Sequence, residues 1–363
     1  MRTNQPVCVT GASGFVAAHI VRELLERGYR VRGTVRNAVQ AGKYGFLTSL
    51  PGAGERLELV GADLLTAGAY DAAVAGCDIV IHTASPYLVN VADPQRDLVD
   101  PAVKGTLNVL QSARSAGVRR VVLTSSIAAI CDEPVEGKVL TEADWNERSS
   151  LERNPYYFSK VSAERAAWKF VDERAAGFDL VAINPFMVVG PSIGPGLNVS
   201  NAIFRDLLTG VFPAIMNLAW GFVDVRDVAT AHVAAIEHVD ATGRYICAGD
   251  VLTMKEVIAI LRDAGYGAGS KLPRLPLTSP IGDLAIKLLS YTQPRGSGSY
   301  LRTHVGKVMR YDNGKIRRDL GVHFRPARES LLAAVADLVR WGHVKPPLQG
   351  PSREPPSATA STP

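Results

Sequence analysis

Short apolar runs alternate with longer amphipathic stretches through the first half of the chain, and this alternation limits the fold more than any other feature. The runs predict strands at residues 6–10, 30–35, 57–61, 78–82, 120–124 and 180–184, separated by helices that include 99–116 and 155–176. Strand–helix alternation implies right-handed crossovers and a parallel sheet. Because the runs are almost continuously apolar, they suit a sheet that is covered on both faces. The sequence therefore predicts an α/β fold with a doubly wound parallel sheet.

The rhythm changes after Pro185, where a Gly/Pro-rich loop at 190–200 interrupts the alternation. We predict a first domain over 1–189, joined by a returning strand near 243–248, and a smaller C-terminal α/β lobe over 190–345. Helices are expected in this lobe at 201–219, 227–238, 253–265, 315–320 and 327–341, with Asp227 as the N-cap of the second. The segment 273–310 gives no readable pattern. Residues 346–363 are rich in Pro, Ser and Thr, so we expect a disordered tail there.

Composition excludes several classes of function. The chain carries 40 basic and 35 acidic residues without a polybasic block, so nucleic acid is not an expected partner. The four cysteines lack CxxC spacing and suggest buried thiols in a reducing compartment, and no metal site is expected. The first strand begins within ten residues, and no apolar run approaches the ~18 residues of a membrane span. We therefore expect a cytoplasmic protein with no signal peptide and no membrane partner.

A glycine turn between the first strand and the first helix carries the first functional prediction. It reads TGASGFVA from Thr10 to Ala17. Gly11 permits a tight turn, and Gly14 lets a ligand approach the backbone, so that a pyrophosphate rests on the N-terminus of the helix. The strand–turn–helix context therefore predicts a dinucleotide site on a Rossmann sheet.

The residues after the second strand indicate which dinucleotide is bound. NAD-binding folds usually place an acid there for the ribose 2′-hydroxyl, whereas an Arg accommodates a 2′-phosphate. This chain has Arg36 at that point, Lys43 seven residues later, and no acid between residues 30 and 54. The pattern predicts NADP rather than NAD.

Three polar residues predict carbonyl reduction. Tyr156 and Lys160 stand four residues apart on a predicted helix and so share one face. Reducing a carbonyl leaves an alkoxide that needs a proton, which a tyrosine supplies more readily when an ammonium group is near. Ser126 follows the fifth strand and can donate a hydrogen bond to the carbonyl oxygen, with Ser125 as the alternative. A turn or a helix cap would also account for a serine at position 126.

These motifs together resemble the extended short-chain dehydrogenases/reductases, in the branch of dihydroflavonol 4-reductases, cinnamoyl-CoA reductases and methylglyoxal-type aldehyde reductases. The resemblance covers residues 5–345 and is carried by the segments 9–15, 81–86, 122–126, 156–160, 163–168, 184–191 and 224–228. It implies catalysis by Ser126, Tyr156 and Lys160. It also implies cofactor contacts by a larger set: Gly11, Ser13, Gly14, Phe15, Val16, Arg36, Lys43, Asp63, Leu64, Thr83, Ala84, Ser85, Tyr156, Lys160, Pro185, Val188 and Ser200.

Two departures from the family's motifs narrow the substrate. The Asn that plant dihydroflavonol reductases carry five residues after the catalytic serine is Cys131 here, which argues against a flavonoid. The Trp-Tyr-Cys-Tyr-Gly-Lys motif of cinnamoyl-CoA reductases reads Pro155-Tyr-Tyr-Phe-Ser-Lys160, which argues against a CoA thioester.

The sequence thus predicts an NADPH-dependent reductase of small or medium apolar aldehydes and ketones, which is a monomer or a homodimer. Two alternatives stay open. A nucleotide-sugar epimerase or dehydratase shares the fold, although Arg36 and Lys43 argue against tightly held NAD. A non-catalytic NADP sensor is the other, although such proteins commonly lose the tyrosine or the lysine, and both are present here.

Overall fold

The computed structural model describes residues 5–85, 90–174 and 176–347. Fourteen strands are formed by these residues: β1 Val7–Thr10, β2 Val31–Val35, β3 Leu57–Gly61, β4 Ile79–His82, β5 Arg120–Thr124, β6 Val139–Leu140, β7 Asp179–Pro185, β8 Met187–Val189, β9 Ile215–Met216, β10 Ala219–Asp224, β11 Gly243–Cys247, β12 Val251–Thr253, β13 Pro276–Leu277 and β14 Arg310–Tyr311.

The described residues also form thirteen α-helices: α1 Phe15–Glu26, α2 Gly45–Thr48, α3 Ala53–Arg56, α4 Asp71–Val74, α5 Asp100–Ser115, α6 Pro155–Arg174, α7 Val199–Thr209, α8 Val225–Glu237, α9 Met254–Leu261, α10 Pro280–Leu289, α11 Arg295–His304, α12 Gly314–Leu320 and α13 Ala327–Arg340. Short 3₁₀ and π turns link several of them.

A seven-stranded parallel sheet forms the centre of the molecule, in the order β11-β7-β5-β4-β1-β2-β3. Its strands pair in a continuous register, for example Val7 with Val31 and with Ile79. β1 and β4 are buried along their whole length, as a sheet with helices on both faces requires. The predicted Rossmann-type sheet is confirmed, and the strand near 243–248 does return to pair with β7.

A second, smaller unit of packing surrounds a three-stranded sheet in the order β12-β10-β8. Its core is apolar and includes Phe204, Trp220 and Phe222, whose rings pack at centroid distances of 6.3 Å. The predicted helix at 201–219 is wrong beyond residue 209. Gly210 closes α7 in the left-handed conformation with φ of 85°, and in the apolar run that follows Ile215–Met216 form β9, which pairs with β13.

The predicted N-cap of the helix after β10 is also wrong. α8 begins at Val225, and the side chain of Asp224 accepts the capping hydrogen bond from the Arg226 N–H. Asp227 lies inside the first turn, where its carboxylate accepts hydrogen bonds from the backbone N–H and the guanidinium of Arg325. Both acids are buried, and a sequence pattern could not say which one precedes the helix.

Three remaining expectations concern burial and the ends of the chain. All four cysteines are free and buried, as predicted. No helix in the described part of the chain is long and apolar enough to cross a membrane. A disordered tail was predicted over residues 346–363, and of these 348–363 lie outside the described residues.

A buried carboxylate joins α6 to the central sheet. Glu164 of α6 accepts hydrogen bonds from Arg244 of β11 (2.6 Å), Asn184 of β7 (2.7 Å) and Ser125, the residue after β5 (2.5 Å). The Arg244 guanidinium also lies over the Trp145 ring, 3.8 Å from its centre. Since both charges are removed from water, each depends on the other for its solvation.

We expect Glu164→Ala to destabilise the protein by about 3–5 kcal/mol, because it leaves the buried Arg244 charge without its partner. Urea unfolding of the purified chain measures this loss. Lys169→Ala, an exposed change on the same helix, serves as the control and should stay within about 0.5 kcal/mol of the parent. A loss for Glu164→Ala as small as that of the control would contradict the prediction.

Candidate functional site

The glycine turn leaves an open cradle at the N-terminus of α1. Gly11 has φ of 66°, and a Cβ atom on it would lie 3.1 Å from the Cβ of Ala84, so the position suits glycine alone. No side chain caps α1 at Gly14, and Ser13 and Gly14 are exposed. The first-turn N–H groups, including those of Phe15 and Val16, are therefore available to an anion.

The two predicted phosphate-binding cations lie beyond the end of β2. Arg36 and Lys43 are exposed, and neither forms a salt bridge within the described residues. Arg32, within β2, differs from them because its guanidinium is paired with the Glu58 carboxylate at 2.7 Å. Arg36 and Lys43 therefore keep their charges available for a ligand.

A hydrogen-bonded corner joins the ends of β1 and β4. The Thr10 hydroxyl oxygen accepts from the N–H groups of Thr83 (3.1 Å) and Ala84 (3.0 Å), so its hydrogen donates to His82 Nδ1 (2.8 Å). Burial, together with the nearby Lys160 charge, lowers the pKa of His82 to about 3. His82 is thus neutral and structural, and the corner holds Thr83, Ala84 and Ser85 at the rim of the sheet.

Tyr156 and Lys160 lie together on one face of α6, as predicted from their spacing. The Lys160 ammonium donates to the Ser85 hydroxyl at 2.9 Å and lies 5.7 Å from the centre of the Tyr156 ring. Tyr156 is half-buried, while Lys160 is only 9% exposed. Burial lowers the pKa of Lys160 to about 8. The arrangement places one titratable ammonium group between a rim hydroxyl and a phenol.

The two serines after β5 have different surroundings. The Ser125 hydroxyl donates to the buried Glu164 carboxylate, so its hydrogen is engaged. Ser126 caps the short 3₁₀ turn Ile127–Ala129, where its oxygen accepts from the Ala128 N–H at 3.1 Å. This cap uses the oxygen and leaves the hydroxyl hydrogen for another acceptor. The geometry favours Ser126 over Ser125 as a donor to a substrate.

The remaining residues of the predicted cofactor set are spread along the rim. Asp63 follows β3 and accepts from the Leu65 N–H at 2.8 Å, while Leu64 packs on Gly105 of α5. Pro185 ends β7 and Val188 lies in β8. Ser200 lies in the first turn of α7, which packs on β8. Pro86, the last residue of one resembling segment, lies outside the described residues.

Asn154 is a residue of this region that the sequence analysis missed. It is the single non-glycine residue with positive φ among those described, at 49°, and it directly precedes α6. Its side-chain amide donates to Asp132 (2.7 Å) and Thr303 (3.1 Å), and its backbone N–H donates to Ser299 (2.9 Å). The Asn-Pro pair was a turn signal in the sequence, but nothing there revealed its partners.

The segment 273–310, which the sequence left unread, forms α10 and α11. α11 reaches the candidate catalytic helix through Tyr300 and His304, whose rings stack at 4.0 Å. The His304 ring meets the Tyr157 ring edge-on at 5.7 Å, and Tyr157 adjoins Tyr156. Burial lowers the pKa of His304 to about 3, so this aromatic group carries no charge at neutral pH.

Comparison with known proteins assigns the family. The model of the NAD dependent epimerase/dehydratase family matches residues 7–248. The chain belongs to this family. Cinnamoyl-CoA reductase CAD2 of Medicago truncatula is 48% identical over 268 residues, covering 71% of this chain and 80% of that protein. Cinnamoyl-CoA reductase 1 of Petunia hybrida is 40% identical over 351 residues, covering 96% of each.

A solved structure resembles this chain over almost its whole length. Yeast methylglyoxal/isovaleraldehyde reductase Gre2, complexed with NADPH, superposes with a TM-score of 0.76 at 32% identity, covering 93% of this chain and 100% of that one. The resemblance predicted from the motifs is thereby confirmed, including its reductase branch. The chain is an oxidoreductase of this family.

Burial of Lys160 predicts a pH-dependent stability. The folded pKa of about 8 lies below the usual 10.5, so between these values the unfolded chain binds more protons and stability rises with pH. Relative to Lys160→Met, the parent should gain about 2–3 kcal/mol in unfolding free energy from about pH 7 to about pH 10. Denaturant unfolding at several pH values measures this difference. A difference independent of pH would contradict the assigned pKa.

Proposed function

We propose that the chain is an NADPH-dependent reductase of aldehydes and ketones, with Ser126, Tyr156 and Lys160 as its catalytic residues. The observation that carries this proposal is the Lys160 ammonium, held between the Ser85 hydroxyl and the Tyr156 ring. An ammonium beside a phenol at the rim of a parallel sheet suits carbonyl reduction, because the phenol can donate the proton that the alkoxide needs.

The described residues fit NADP as the cofactor. Gly11, where a Cβ would fill the cradle, and the uncapped N-terminus of α1 suit the pyrophosphate. Arg36 and Lys43, exposed and unpaired within the described residues, suit the 2′-phosphate. Bound NADPH supplies the hydride for the carbonyl carbon.

Proton delivery falls to the side chains of this protein. The Tyr156 hydroxyl donates its proton to the carbonyl oxygen, and the Lys160 ammonium stabilises the phenolate that remains. Ser126 donates a hydrogen bond to the same oxygen while its own oxygen stays bonded to the Ala128 N–H. His82 lies near Lys160 but is neutral, so it adds no second positive charge there.

The substrate is proposed to be an apolar carbonyl compound held by the C-terminal part of the chain, residues 190–345. The Tyr157 ring adjoins Tyr156, and the rings of Tyr300 and His304 pack on Tyr157, which favours an apolar or aromatic group over a charged one. Phe204 and Trp220 are buried in the second core. Two relatives are named for CoA thioesters and one for aldehydes, so both classes belong in the test.

Turnover by the purified chain tests this function. NADPH and NADH consumption should be followed by absorbance with aldehydes, α-keto esters, aryl ketones and an aromatic acyl-CoA thioester. We expect turnover that prefers NADPH, because Arg36 and Lys43 match a 2′-phosphate. Tyr156→Phe should lower kcat by at least about 100-fold with unchanged NADPH affinity, because the proton donor is lost. Tyr157→Phe, one position along the helix, is the matched control.

Other outcomes would redirect the assignment. Near-normal turnover by Tyr156→Phe would remove Tyr156 from the mechanism. NADPH binding without turnover of any carbonyl would favour the sensor, and NAD retained through purification would favour the epimerase. A nucleotide-sugar epimerase of this fold needs cationic residues in the second lobe to bind a diphosphate. α7 offers Arg205, but its guanidinium is already paired with Asp206 at 2.7 Å, which argues against the epimerase.

Asn154 is proposed to orient Tyr156 through the start of α6. Asn154→Gly tolerates the positive φ but deletes the bonds to Asp132 and Thr303, and should lower kcat about tenfold with NADPH affinity unchanged. Asn154→Ala adds backbone strain, so it should also lose about 1–2 kcal/mol of stability relative to Asn154→Gly. Steady-state kinetics and urea unfolding measure both effects. Full kcat in Asn154→Gly would refute the orienting role.

A further inference from the structure

One face of α10 exposes an unusual amount of apolar surface. Among the described residues fourteen large hydrophobic side chains are exposed, and six of them lie between residues 275 and 291: Leu275, Ile281, Leu284, Leu288, Leu289 and Tyr291. Ile281, Leu284 and Leu288 follow helical spacing and so form one stripe, in which Ile281 is 81% exposed. We call these six exposed residues the α10 surface.

The exposure does not arise from a loosely attached helix. Ser279 caps α10 by accepting from the Gly282 N–H at 3.2 Å, and Pro280 occupies its first turn. On the opposite face Ile286 is buried in the second core, and Gly282 approaches Leu277 so closely that a Cβ would lie 2.9 Å from its backbone. α10 is therefore firmly docked, with its apolar stripe directed outward.

Basic residues adjoin this stripe in the sequence, and one of them, Arg302, lies over the Tyr291 ring at 4.5 Å. The segment 271–302 contains five bases and one acid, Asp283. The bases are Lys271, Arg274, Lys287, Arg295 and Arg302. Within the described part of the chain none of the five forms a salt bridge, and the Asp283 carboxylate accepts from the Asn217 amide at 3.0 Å. Arg302 donates to Ser290, while Lys271, Arg274 and Arg295 are exposed. An exposed apolar stripe in a segment with this excess of positive charge is complementary to a surface that is both anionic and apolar.

We propose that the α10 surface docks the protein on an anionic phospholipid bilayer. The apolar side chains enter the boundary between headgroups and acyl chains, while the bases contact lipid phosphates. Such docking involves one face of the bilayer and needs no spanning helix. It nevertheless revises the prediction that the protein has no membrane partner.

The charges of the surface argue against other occupants. In a symmetric dimer the same patch meets itself, which would bring the five bases of one copy against those of the other. Residues 348–363 supply one Leu and two Ala as apolar side chains, too few to cover six large ones.

Vesicle sedimentation with the full chain tests the proposal. The probes are vesicles of phosphatidylcholine alone and of equal parts phosphatidylcholine and phosphatidylglycerol. We expect binding to the anionic vesicles that weakens with added salt. Ile281→Asp with Leu288→Asp should reduce the partition coefficient by at least about tenfold. Arg274→Gln with Arg295→Gln should reduce it about 25-fold, since each base near such a surface contributes roughly fivefold.

Matched changes elsewhere provide the controls. Val239→Asp places a charge on an exposed apolar residue far along the chain, and Arg30→Gln with Arg114→Gln removes the same net charge. Both should leave vesicle binding unchanged. Absence of binding to anionic vesicles, or binding that the α10 variants retain, would overturn the proposal. So would a dimer in sedimentation equilibrium that Ile281→Asp with Leu288→Asp separates, because the surface would then belong to a second copy.

Discussion

The candidate site depends on the buried carboxylate of Glu164. A helix laid on a parallel sheet is usually held by apolar packing, which allows it to slide by small steps. Hydrogen bonds from Ser125, Asn184 and Arg244 to one carboxylate remove that freedom, because a shift of α6 would leave buried polar groups without partners. Lys160 lies one turn before Glu164 on the same face of α6. The position of the ammonium is therefore set by an ion pair that takes no part in the proposed chemistry.

The same low-dielectric surroundings control the charges near that ammonium. Burial, together with the Lys160 charge, lowers the pKa of His82 to about 3, so this histidine adds no positive charge near neutral pH. Lys160 itself is held near the point where it titrates, with a pKa of about 8. A group whose charge is costly because it is buried gains the most from an anionic neighbour. Desolvation thus suits Lys160 to the role proposed for it, which is to stabilise a phenolate on Tyr156.

Local patterns predicted the parts of the molecule that local physics determines. The runs of the central sheet were found nearly residue by residue, because strands buried on both faces leave continuous apolar sequence. The glycine turn was found because positive φ at Gly11 limits the residue type. The helix at 201–219 was wrong beyond residue 209 because Gly210 adopts a left-handed backbone that ends α7, and Ile215–Met216 pair with β13 instead. The cap at Asp227 was wrong because Asp224 offers the same carboxylate three residues earlier.

What the sequence could not predict is distant in the chain and specific in geometry. The contact between Asn154 and Thr303 spans 149 residues, and it depends on one asparagine adopting a left-handed backbone. It connects the start of the proposed catalytic helix to α11, in the segment that gave no readable pattern. Tyr157 meets the same helix through Tyr300 and His304. A movement of α11 would therefore act on Tyr156 through two contacts at once. Since α11 also packs on α10, the surface proposed to meet the bilayer and the proposed proton donor are joined by one continuous path of packed residues.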